Sequence, residues 1–256
     1  MKTFCIRIAY DGTNYAGWQR QSNVTTIQSV LEQAAQVVNG EPTSILGSGR
    51  TDAGVHAEAQ AARFRTPRAI EAEQVPHALN SHLPDDVVVT GAVAVDQGFH
   101  PIGDASGKHY RYTLRRARFD SPFDRNFVER VADPLDPARM RAAARHLVGR
   151  HDFAPFEKSG SPRPSTIRTL RRVDVVEVGE YIRLDIEGDG FLYGMARNLA
   201  GTLLRAGRGA LDPDTIPSSL AALDRSVAGP CLPARGLRLM QVFYPFDQAS
   251  QGEPNA

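Results

Sequence analysis

Gly47-Ser48-Gly49-Arg50-Thr51-Asp52-Ala53-Gly54-Val55-His56-Ala57 joins two strand-like runs, and its reading sets the reading of everything around it. Three glycines in eight residues let a backbone turn tightly and approach a ligand closely, at a cost in chain entropy. Asp52 lies two residues after Arg50 and four before His56. A carboxylate that acts as nucleophile or base has to stay ionised once a substrate covers it, and a neighbouring guanidinium favours the charged form. The competing reading is a plain glycine turn in which Asp52 only hydrogen-bonds adjacent backbone amides. Local composition does not separate the two.

Outward from this turn, Thr43 to Leu46 reads as a short strand leading in and Ala59 to Thr66 as the strand leading out. Upstream, Phe4, Ile6, Ile8 and Tyr10 alternate along a strand from Thr3 to Tyr10 that ends at Asp11-Gly12. A helix follows: Thr25-Thr26-Ile27-Gln28 has capping-box spacing, Ile27, Val30, Leu31, Ala34 and Val38 share a face, and Asn39-Gly40 supplies the stop. Downstream, Ile70 to Ser81 predicts a helix weakened by Pro76, and Asp86 to Val95 a β-branched strand. The order βαββαβ is that of the ferredoxin-like unit, in which two helices cover one face of a four-stranded antiparallel sheet.

Gly98 to Gly107 reads as a loop and places a first unit over 1–104. The order then repeats over 105–246. Lys108 to Arg116 is a strand; Asp136-Pro137 opens a helix reaching Gly149. Strands follow at Leu170 to Val178 and Tyr181 to Glu187, a helix at Phe191 to Arg205, a short extra helix at Thr215 to Leu223, and a closing strand at Leu237 to Tyr244. Residues 247–256 read as a disordered tail. The expected architecture is α+β, two ferredoxin-like units whose antiparallel sheets join, with a ligand cleft between them.

The 256 residues are 41% hydrophobic and 23% charged, ordinary for a folded chain, and no apolar run is long enough to span a membrane. Cys5 and Cys231 match neither a zinc spacing nor a redox pair, which fits a reducing cytoplasm. Net charge is +1, yet 27 of the 30 basic residues are arginine, whose planar fork suits phosphates and stacks on bases. No P-loop, nucleophile elbow or zinc-protease spacing is present, and no metal or cofactor is implied.

In the second half, Lys108 to Arg116 interleaves aromatic and basic residues. Alternation puts Tyr110 and Tyr112 on one face, able to stack a base or to sit in the core, and Arg111 on the other. Arg163, Arg168, Arg171 and Arg172 widen the basic surface. Arg197 falls away from the Leu192-Met195-Leu199-Leu203 stripe, on a helix face shared with Gly194 and Gly201. There it either faces the cleft and pairs with Asp52 or is solvated.

These residues together resemble the tRNA pseudouridine synthase A family. Gly49 to Ala57 is similar to its signature, in which the aspartate is the catalytic nucleophile. Tyr10-Asp11-Gly12-Thr13 with Gly17-Trp18-Gln19-Arg20-Gln21, Tyr110-Arg111-Tyr112, Phe191-Leu192 with Met195-Ala196-Arg197-Asn198, and Ala228-Gly229-Pro230 with Gly236-Leu237 match its further motifs in order. Ile102 stands where an arginine is usual, and Ala196 where a valine is usual. The resemblance implies a cytoplasmic, cofactor-free homodimer with the pseudouridine synthase fold. It would isomerise uridine to pseudouridine at positions 38, 39 and 40 in the anticodon stem-loop of tRNA. It makes Asp52 the nucleophile, Arg197 its ionic partner, Arg50 the residue filling the space of the extruded base, and Tyr110 the residue packing on the uracil or relaying the C5 proton. The alternative function is a non-catalytic RNA-binding protein that uses the two units as a stacking platform.

Overall fold

Phe4, Ile6, Ile8 and Tyr10, the face that alternation predicts, are all buried along β1 (Lys2–Tyr10), and Thr3 and Cys5 are buried on the other face. The computed structural model describes residues 1–158, 160 and 164–249. In it β1 is followed by α1 (Ile27–Asn39), β2 (Leu46–Gly47), β3 (His56–Thr66), α2 (Gln74–Asn80) and β4 (Val87–Ala94). β1 runs antiparallel to both β3 and β4, with Phe4 opposite Phe64 on one side and Ala94 on the other. β2 pairs with β3 through Leu46 with Arg63 and Gly47 with Ala62. The resulting order β4-β1-β3-β2 is that of the expected ferredoxin-like unit. Each large side chain buried here contributes about 1.5–3 kcal/mol.

The α1 start differs from the predicted box by one residue. Thr26 is the cap: its hydroxyl accepts from Ser29 N (3.2 Å), and Ser29 Oγ accepts from Thr26 N (3.0 Å). Gln28 turns inward instead, donating to the Ile45 carbonyl (2.9 Å) and accepting from Arg20 N (2.9 Å). Gly40, in the left-handed region at φ 77°, ends the helix as expected.

Beyond Ser106 the elements are β5 (Gly107–Arg116), β6 (Glu129–Val131), α3 (Pro137–Leu147), β7 (Gly149–Asp152), β8 (Ile167–Val178), β9 (Tyr181–Gly188), α4 (Met195–Gly207) and α5 (Ile216–Ala221). β9 lies between β5 and β8, antiparallel to each; β7 adds to β8, and β6 runs parallel to β5. Asp136 caps α3 by accepting from the amides of Ala138 and Arg139, with Pro137 in the first turn, as read from the sequence. α4 begins four residues after the predicted Phe191, because Gly194 sits at φ 71° and holds the preceding turn out of the helix. Met195, Leu199 and Leu203 along it, and Leu192 in the turn before it, are buried as expected.

The chain ends on β10 (Leu237–Phe243) and α6 (Pro245–Ala249). Two compact units result: Met1–Ser106 with the chain from Leu239 onward, and Gly107–Arg238. The sequence had put the last strand in the second unit and residues 247–256 in a disordered tail. Arg7 accounts for the difference: it donates to the Val242 carbonyl (2.6 Å) and to both Asp247 oxygens (2.6 and 2.8 Å). Tyr244 adds a bond from its hydroxyl to the Pro101 carbonyl (2.7 Å) and stacks on Phe246 (5.0 Å). Residues 247–249 are therefore helical, and 250–256 lie outside the described residues. Among the described residues no helix is long and apolar enough to cross a membrane.

Candidate active site

The glycine loop between β2 and β3 is fixed from beneath. Ser48 N donates to the Ala61 carbonyl (2.8 Å), Gln60 donates to the Gly49 carbonyl (3.0 Å), and Thr51 Oγ1 bonds the buried Tyr10 hydroxyl (2.8 Å). Burial pushes the Tyr10 phenol up to about 12, against the opposing hydrogen bonds of Thr51 and Gln60, so it stays protonated near neutrality. Trp18 lies against Gly47, where a Cβ would meet the indole at 2.4 Å, and Trp18 N donates to the Thr51 carbonyl (3.0 Å).

On the far side, a Cβ on Gly12 would stand 2.1 Å from the Val55 carbonyl oxygen; only glycine permits that approach. Thr51 and Val55 are buried at the two ends of the turn, and Val55 N closes it on the Asp52 carbonyl (3.1 Å). Between these pins Asp52 is half-buried and Ala53 exposed, and Arg50, just before Thr51, is exposed. The loop thus presents Asp52 from a supported backbone.

His56, the imidazole noted in the sequence, is 2% exposed and belongs to the support. Its Nδ1 lies 3.1 Å from Gly12 N and 3.1 Å from Asp11 Oδ1. Without a proton on Nδ1 the ring accepts from Gly12; with one it donates to Asp11. Either state ties the turn after β1 to the start of β3, at the end of the glycine loop. The sequence showed the Gly12–Gly17–Trp18 motif without its role, which is to carry the Asp52 loop.

Tyr110 and Arg197 belong to the second unit. Tyr110 is buried on β5, edge-on to Phe191 at 4.9 Å. Tyr112, on the same face as expected, is core: its hydroxyl donates to the Pro233 carbonyl (2.9 Å), and the ring lies against Gly236. Arg197, in the first turn of α4, donates through Nε to the Leu232 carbonyl (2.6 Å). That contact depends on the face shared with Gly201: a Cβ there would stand 2.0 Å from the Pro230 carbonyl oxygen, and one on Gly229 2.1 Å from Gly201 C. Thr202 accepts from Gly229 N (2.7 Å) and completes the crossing.

The arginines read as a phosphate surface are largely balanced. Arg111 forks onto Asp185 (2.9 and 3.2 Å), which also receives His109 Nε2 (2.6 Å). Burial opposes ionisation of Asp185, 5% exposed, yet the bonds from His109 and Arg111 outweigh it and hold the carboxyl below its ordinary value. Arg172 pairs with Asp174 (3.2 Å) and Glu187 (3.6 Å), and Arg168 folds onto the carbonyls of Ser165 and Ile167. Arg163 lies outside the described residues. The sequence missed the Asp185 cluster because the partners come from different strands. Among the described residues, no three His, Cys, Asp or Glu side chains group as a metal site would need.

The family model described as tRNA pseudouridine synthase matches residues 6–102 and 143–245. The tRNA pseudouridine synthase A of Thermoanaerobacter sp. (strain X514) is 42% identical over 95% of this chain and 100% of its own length. Those of Geotalea uraniireducens and Pelobacter propionicus are 43% and 44% identical over the same shares. With the matched segments holding the glycine loop as well as the Arg197 helix, the chain belongs to the tRNA pseudouridine synthase family.

Proposed function

We propose that the chain is an isomerase converting uridine to pseudouridine in tRNA, at positions 38, 39 and 40 of the anticodon stem-loop, with Asp52 as nucleophile. The observation that carries the reading is the placement of Asp52, half-buried between the pinned residues Thr51 and Val55 in a loop with the family's signature. The reaction breaks the N1–C1′ bond, turns the uracil, forms the C5–C1′ bond, and returns a proton to N1 as C5 loses one. Asp52 adds to the ring or attacks the sugar carbon; both routes need an ionised carboxylate. Arg197, its Nε committed to Leu232, is the ionic partner this reading gives to Asp52. Tyr110 packs on the uracil or relays the C5 proton, and exposed Arg50 fills the space the base leaves.

Taking a base out of its stack costs a few kcal/mol, less where pairing is weak. Phosphate and shape contacts, which carry little sequence information, let one site serve three neighbouring positions. The enzyme acts as a cytoplasmic homodimer. The test is pseudouridine mapping in unmodified tRNA incubated with the protein. New pseudouridines at the three positions support the reading; tRNA binding without any new pseudouridine leaves an RNA-binding protein instead.

A further inference from the structure

The segment between β5 and β6 carries two phenylalanines that serve no core. Phe119 is 72% exposed and Phe123 91%. The loop that holds them is built. Ser121 accepts from Phe123 N through Oγ (3.2 Å) and from Arg125 N through its carbonyl (3.0 Å). Arg130 reaches back to Asp120 (3.3 Å) and donates to the Arg118 carbonyl (3.2 Å). Asp124 accepts from the Tyr181 hydroxyl (2.7 Å) and faces Arg115 at 3.7 Å.

Both carboxylates of the loop thus face an arginine at its base, Asp120 at Arg130 and Asp124 at Arg115. Its two arginines are differently placed: Arg118 lies over the Phe119 ring at 5.3 Å, and exposed Arg125 makes no ion pair among the described residues. Two exposed rings beside two uncompensated guanidinium groups suit bases and phosphates together, since aromatic faces stack unpaired bases and arginines hold the backbone.

We propose that residues 117–128 are a docking element for unpaired nucleotides of the tRNA away from the reacting uridine, with Phe119 and Phe123 as stacking platforms and Arg118 and Arg125 as phosphate contacts. The inference rests on the tRNA reading above. Its test is binding of unmodified tRNA, measured apart from turnover, so an error in the Asp52 assignment leaves it standing.

Phe123→Trp places an exposed indole in a chain whose single tryptophan, Trp18, is buried. Its emission is expected to be quenched by tRNA. The double variant Phe119→Ala/Phe123→Ala is expected to raise Kd about tenfold or more, with the sedimentation mass unchanged. Arg118→Gln/Arg125→Gln is expected to lower the slope of log K against log salt by about 1–2. Unchanged Kd and emission in variants of a chain that binds tRNA overturn the docking element alone. A fall in mass in the phenylalanine variant overturns it in favour of a contact between two copies of the chain. A wild-type chain that binds no tRNA overturns both readings.

Discussion

The loop bearing Asp52 and the loop bearing Phe119 and Phe123 both turn chemistry-bearing side chains outward, and they are supported by opposite means. Under Asp52 the support includes close packing onto glycines: Gly12 on the Val55 backbone, Gly17 on the Thr51 backbone, and the Trp18 indole on Gly47. Under the phenylalanines it is side chain to side chain, through the part-buried bond of Tyr181 to Asp124 and the more exposed pair of Arg130 with Asp120. Contacts that exist only because a Cβ is missing tolerate no substitution, whereas solvent-screened pairs are each weak. The RNA-docking surface proposed above would act through several contacts and needs no such precision. A nucleophile has to meet one atom, and a displacement of about 1 Å is costly there.

That contrast can be broken first at Gly12. Gly12→Ala drives a methyl into the Val55 carbonyl; the expected result is a loss of about 3 kcal/mol in urea unfolding, with turnover falling further than tRNA binding. A next, smaller effect tests whether burial or backbone identity sets the cost. Asp185→Asn removes the charge from a buried side-chain clamp on His109 and Arg111, with an expected loss of about 2 kcal/mol.

The pH dependence follows from the sign of its shift. A carboxyl held below its ordinary value adds stability above that value, about 3.9, and loses it as pH falls through the folded one. The acid unfolding of the wild type below about pH 4 therefore contains a component the Asn variant lacks. Smallest of all, Asp124→Asn at the phenylalanine loop is expected to cost about 0.5–1 kcal/mol. A cost at Asp124 equal to that at Gly12 would erase the distinction between the two supports.

The same contrast explains what the sequence disclosed. Local rules found the Asp52 turn, the Gly40 stop of α1 and the Asp136–Pro137 start of α3, because each is written in adjacent residues. The α1 cap was displaced by one residue because Gln28 is drawn to the Ile45 carbonyl, a partner 17 positions away. β6 and β7, of three and four residues, are too short to display a period. The grouping of the last strand depends on Arg7 meeting Val242 and Asp247, 235 and 240 positions distant, which no local pattern announces. Asp52, Arg50, Tyr110 and Arg197 were legible as a set only through the family resemblance; composition alone left Asp52 as either a nucleophile or a turn residue, and Tyr110 as either a platform or core.

The central claim is that the Asp52 carboxylate performs the chemistry and does not merely shape the loop. Asp52→Asn keeps the side-chain size and removes the charge. Tritium release from tRNA carrying 5-tritiated uridine, followed in a single turnover, is expected to vanish in this variant while its affinity for tRNA stays within a few-fold of wild type. Release at an undiminished rate would contradict the account.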